Sequence, residues 1–135
     1  MKRQPSVGEW VILVGGAVIF VFSFLDFFDD GGFSVNAWSD LTFPLASFVA
    51  IFGLIMALHV ALTTFADVNF PDTVAGFTWP QIHLILGFIN TLIMVGYLLL
   101  AEGPDTGVGF ILMLLGAIAT LVGGILLTRE RTTTM

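Results

Sequence analysis

The stretch FVFSFLDFFDDGGF, residues 20–33, sets six phenylalanines, three aspartates and a glycine pair into fourteen positions. A strand reading fails, because Phe20, Phe22 and Phe24 recur with period two but Val21 between them is apolar as well. A barrel strand needs apolar and polar residues to alternate. The stretch therefore reads as a helix leaving a membrane, with Phe27, Phe28 and Phe33 expected among headgroups and Asp29 and Asp30 in water. Gly31 and Gly32 are expected to turn the chain.

Composition agrees with this reading. Hydrophobic residues make up 57% of the 135 positions, mean hydropathy is +1.02, and only 10% are charged, where a soluble domain carries roughly 25%. So short a chain cannot bury that many large side chains, so most of its apolar surface is expected to face lipid. A spanning helix needs about 20 apolar residues, and four long charge-free intervals hold the expected spans: 10–25, 41–66, 73–101 and 106–128. The expected fold is all-α, one transmembrane four-helix bundle running up-down-up-down, with helices near 8–28, 41–64, 80–101 and 106–128. Trp10, Trp38, Trp79 and Tyr97 each fall beside an expected span end, where amphipathic rings prefer to sit.

Charge sets the orientation. The net charge is -6, and the four bases, Lys2, Arg3, Arg129 and Arg131, lie near the two ends. Lys and Arg are retained on the cytoplasmic side, so both termini are expected there, in the plasma membrane. The loop carrying Asp26, Asp29, Asp30 and Asp40 and the one carrying Glu102 and Asp105 are then outside. The middle loop, FADVNFPDTVAGFTW (65–79), is expected to lie along the membrane surface through Phe65, Phe70, Phe77 and Trp79. MKR before an apolar run could open a signal peptide, but DFFDD follows that run in place of a small-residue cleavage site. The acidic balance makes nucleic acid an unexpected partner. The absence of cysteine removes thiolate zinc and iron–sulfur chemistry.

Helical phase assigns faces. Positions three, four and seven apart share a side, and small residues on one side mark helix packing in lipid. Gly15, Gly53, Ala57, Gly87, Gly109, Gly116 and Gly123 are the expected packing positions. Ser23, Asp26, Asn90, Thr91 and Tyr97 form an expected polar interior, with Asp26 pointing at protein. Asn90 faces other helices because an uncompensated amide in lipid is costly.

His59 and His83 are the only histidines and should lie at similar depth near the middle loop. Two imidazoles could ligate a b-type haem or a metal, but His59 lies nearly opposite the small-residue face of its helix. Structural hydrogen bonding is the expected role, with no cofactor and no metal site. Ser23 and Asp26 fall in the opposite leaflet from both histidines, so no triad can assemble, and enzyme activity is not expected.

The layout resembles the small four-span membrane proteins of actinobacteria. In these a Trp-led first helix ends in Ser-Phe-Leu before an aromatic outer segment, with a Trp ahead of the second helix. Here those residues are EWVILVGGAVIFVFSFLDFF and NAWSD, although Asp26-Phe27 stands where such relatives often have Pro-Trp. The resemblance implies a fold and no catalytic residues. The expected role is that of an accessory or scaffold subunit acting by helix–helix association in the bilayer, with a second copy or another membrane protein as partner. The alternatives are a homodimeric cation or proton channel using Asp26, Asn90 and Tyr97, and a haem subunit using His59 and His83.

Overall fold

The computed structural model describes residues 5–29, 31–32, 34–40, 42, 44–99 and 106–133, with side chains up to residue 130. It is mostly helical: α1 (Val7–Phe22), α2 (Leu45–Phe65), α3 (Trp79–Leu98) and α4 (Val108–Thr133). Two short antiparallel hairpins join them, β1 (Phe28–Asp29) with β2 (Ser34–Val35), and β3 (Thr73–Val74) with β4 (Phe77–Thr78). Three helical segments, α2, α3 and residues Val108–Glu130 of α4, are long and apolar enough to cross a membrane. α1 is apolar but has only 16 residues, about 24 Å at 1.5 Å per residue.

Local chemistry explains where helices start. At α1 the Glu9 amide donates to Ser6 Oγ (3.2 Å) while the Ser6 amide donates to Glu9 Oε1 (3.0 Å). Two of the amides left open at a helix start are thereby satisfied. Thr78 and Gln81 repeat the arrangement at α3, with Pro80 in the first turn.

The first helix ends at Phe22, well before the expected residue 28, because the following residues turn back over the bundle. Ala37 N donates to Ser23 O (3.1 Å), and Gly107 N and Gly109 N donate to Phe27 O and Asp26 O (2.9 and 2.8 Å). Phe27 is fully buried and Phe28 nearly so, which corrects their expected place among headgroups. The Phe27 ring packs edge-on against Phe28, Tyr97 and Phe110 at 4.9–5.0 Å between centroids, a favoured aromatic geometry. Asp29 is exposed as expected, and Gly31 and Gly32 take the positive φ of a turn (43° and 72°). Phe33 and Asp30 lie outside the described residues. α2 starts at residue 45, later than expected, because Thr42 Oγ1 is held by the carbonyls of Asn36 and Ser39 in a turn.

Around the bundle α1 lies between α2 and α4, and α3 packs on α4 and on α2. Glycines set these approaches. Gly8 meets Gly123 and Leu127, and Gly15 meets Gly116 and Ala119, so residue numbers rise along α1 as they fall along α4. Gly16 lies on the Gly53 carbonyl and Ala57, Gly87 on Thr120 and Leu121, and Gly124 on Leu84. Small residues that allow such close backbone approach are the usual mark of helix–helix interfaces in lipid.

The buried core has two parts. Ile19, Phe27, Val49, Met94, Phe110 and Met113 fill the half nearer the β1–β2 hairpin, and Ile12, Met56 and Val60 the half nearer the middle loop. The outer surface is large and apolar: Val14, Ile55, Leu58, Phe88, Leu92, Leu115 and Val122 are all exposed. The middle loop forms the β3–β4 hairpin, with Ala75 and Gly76 both at positive φ (54° and 86°), as two-residue hairpin turns of type I′ require.

Candidate site between the middle loop, the start of α1 and the end of α4

His59 and His83 meet. Nδ1 of His59 lies 2.9 Å from Nε2 of His83, so one ring donates and the other accepts. This corrects the phase argument that set His59 aside. α2 packs on two sides, with Gly53 against α1 and Met56 next to Asn90 of α3. His59, one turn beyond Met56, points the same way as Met56.

Aromatic residues fix the pair. The Trp79 ring stacks on His59 with centroids 3.8 Å apart and planes 19° from parallel, and Phe70 closes a second side at 5.0 Å. Trp79 is itself anchored, its Nε1 donating to the Pro71 carbonyl at 2.7 Å. His83 is 1% exposed, and its Nδ1 has no hydrogen-bond partner among the described residues.

The pair lines a pocket of about 500 Å³ between the start of α1, the end of α2, the middle loop and the end of α4. Its walls combine apolar groups, Val60, Phe70, Trp79 and Leu127, with three acids, Glu9, Asp72 and Glu130. None of the described lining residues is Lys or Arg. Glu9 is buried and held by the cap at Ser6. Glu130 reaches across from α4, its Oε2 accepting from the Gly8 amide at 3.0 Å. That position favours a carboxylate, since open amides and the helix dipole meet at the start of α1. Glu130 Oε1 is buried with no partner among the described residues.

Sequence reading missed both glutamates. Ser6-x-x-Glu9 carries a visible capping pattern, so Glu9 could have been placed. Glu130 could not, because its contact joins residues 122 apart in the chain.

The haem and metal expectations can be tested on this geometry. Two nitrogens trans across one metal lie about 4 Å apart, twice a metal–nitrogen bond of ~2.0–2.1 Å. Nδ1 of His59 and Nε2 of His83 instead share one hydrogen bond, so as placed they do not form an axial pair. Among the described residues no three His, Asp or Glu side chains are placed to hold a metal.

The other expected polar positions fall into separate groups. Ser23 is buried, its Oγ accepting from Trp38 Nε1 at 2.9 Å, and Tyr97 donates to the Thr42 carbonyl at 3.2 Å. Both belong to the end capped by β1 and β2. Asn90 is fully buried at mid-bundle, Nδ2 lying 3.5 Å from Thr120 Oγ1 and 3.8 Å from the Met56 sulfur. Thr91 Oγ1 lies within 3.0 Å of the carbonyls of Gly87 and Ala117. Buried Ile19, Met94 and Met113 follow between Asn90 and that capped end. Asp26 departs from expectation: the residue is exposed beyond the end of α1, and its backbone carbonyl accepts from the Gly109 amide.

Gly15, Gly53, Ala57, Gly87, Gly109, Gly116 and Gly123 are all buried, although Gly109 rests on the backbone of Leu25 and Asp26 and not on another helix. No family model matches the sequence, and no match to it was found among curated proteins or solved structures.

Proposed function

We propose that the chain is an integral membrane protein that crosses the plasma membrane four times, up-down-up-down, and serves as an accessory subunit binding a small ligand at its cytoplasmic end. It would then be one of the small four-span proteins that its first helix and outer segment resemble. Large apolar side chains on the outer faces suit contact with acyl chains, and the polar cap at Ser6 suits the headgroup boundary.

The observation that carries the binding role is the hydrogen-bonded His59–His83 pair in the wall of the 500 Å³ pocket. Ligand sites are concavities of roughly 300–1,000 Å³, mostly apolar, with a few converging polar groups. The expected packing glycines, by contrast, are occupied within the monomer, so they are not available to a partner helix. The polar groups of the interior sit in separate clusters, which favours binding over conduction.

A thermal-shift screen of small anionic, cationic and neutral compounds on the purified chain in mild detergent tests this. A ligand that binds only the folded state at 100 times its Kd stabilises by about 2.7 kcal/mol. At least one class should raise the Tm of the wild type and lose that effect in His83→Gln and Trp79→Leu. A screen that moves no Tm, or moves it equally in both variants, refutes the binding role.

A further inference from the structure

We infer that the pocket takes a small organic cation, a protonated amine on an apolar or aromatic body. This rests on the binding role proposed above and specifies the ligand chemistry. Charge is the first argument. Glu9, Asp72 and Glu130 line the pocket, and no described lining residue is basic, so the charge of the described wall favours a cation over an anion.

Unmet hydrogen-bonding capacity is the second. Glu130 fastens to α1 through Oε2 alone, leaving Oε1 buried without a partner, and His83, 1% exposed, likewise has Nδ1 unused among the described residues. Buried polar atoms in native proteins are nearly always paired. An ammonium group has donors for the carboxylate and can serve an acceptor imidazole nitrogen as well.

Size and wall chemistry decide against a bare metal ion. The cavity of about 500 Å³ is far larger than an ion, and among the described residues no three ligating side chains converge. The two imidazole nitrogens closest together already share a hydrogen bond. Phe70, Trp79 and Leu127 supply apolar wall for a carbon body, and aromatic faces also attract cations.

Calorimetric titration of the full chain in mild detergent, with a detergent blank, tests the assignment using benzylamine, benzyl alcohol, phenylacetate and zinc chloride as probes. Benzylamine should bind saturably, at least tenfold tighter than benzyl alcohol, and phenylacetate should not bind. Glu130→Gln keeps an amide oxygen for the Gly8 amide but removes the charge, and should weaken benzylamine at least tenfold. Asp72→Asn alters only an exposed loop residue and should weaken it severalfold, which keeps the test decisive if Glu130→Gln misfolds. Tighter binding of the alcohol or the carboxylate overturns the cation assignment but leaves the binding role standing. Saturable zinc binding without benzylamine binding, lost in His83→Gln, identifies a metal site instead and also overturns it. Failure of every probe overturns it as well, and the thermal-shift screen then decides separately whether the pocket binds anything.

Discussion

Gly16 and Gly96 are both glycines within apolar helices, and their surroundings give them opposite consequences. A Cβ on Gly16 would run into the Gly53 carbonyl, which is backbone and cannot swing aside, whereas a Cβ on Gly96 would meet nothing within 4 Å. Gly16→Ala should therefore cost about 1–3 kcal/mol, the usual penalty for overpacking. Gly96→Ala should gain about 0.5–1 kcal/mol by removing glycine's extra freedom from the unfolded chain. Reversible unfolding in detergent measures both, and equal effects would contradict the close α1–α2 approach. The same pair shows what was legible at this scale. Reading α1 for one small-residue arc finds Gly15, which faces α4, but passes over Gly16, one residue and 100° further round. A helix flanked by two neighbours needs two such arcs, and the adjacent Gly15-Gly16 pair serves both.

Helices were legible as elements because lipid-scale stretches without charge have few other uses, but their ends were not. The apolar run of Phe24, Leu25, Phe27 and Phe28 extends the expected first helix to residue 28. In the structure Phe24 and Leu25 are exposed while Phe27 turns inward as a plug. Hydropathy alone cannot distinguish a ring facing lipid from a ring facing protein, because both environments are apolar. The plug carries a large energetic role: Phe27 is fully buried and touches the rings of Phe28, Tyr97 and Phe110. Phe27→Ala should destabilise by about 3–5 kcal/mol, the range for a truncated core phenylalanine, while the exposed Phe24 changed to Ala should cost far less. Comparable losses in the two variants would place Phe27 back at the membrane surface.

For the whole molecule, the pattern of glycines inside and large aliphatic side chains outside follows from residue periodicity, since each helix carries it alone. The pocket does not, because it exists only where Ser6, the end of α2, the middle loop and Glu130 converge, and no single segment encodes that meeting. Convergence of the start of α1 and the end of α4 with the middle loop is also what makes the orientation testable. If the chain crosses four times, Ser34 in the first connection and Thr73 in the second lie on opposite faces of the membrane, and both residues are exposed. The sequence contains no cysteine, so Ser34→Cys and Thr73→Cys each introduce a single reactive thiol without background. A membrane-impermeant maleimide added to intact cells should label Ser34→Cys and spare Thr73→Cys, with Thr73→Cys becoming reactive once the membrane is opened. The short α1 makes this the stringent case, because 16 residues fall below the about 20 that a span normally needs. If α1 lies on the surface and only the other three helices cross, the start of α1 stays on the face of the first connection, opposite the middle loop and the end of α4. Ser6 and Glu9 could then no longer line one pocket with Asp72 and Glu130, so labelling of the exposed Val7→Cys from the same face as Ser34→Cys would remove the proposed site together with the topology.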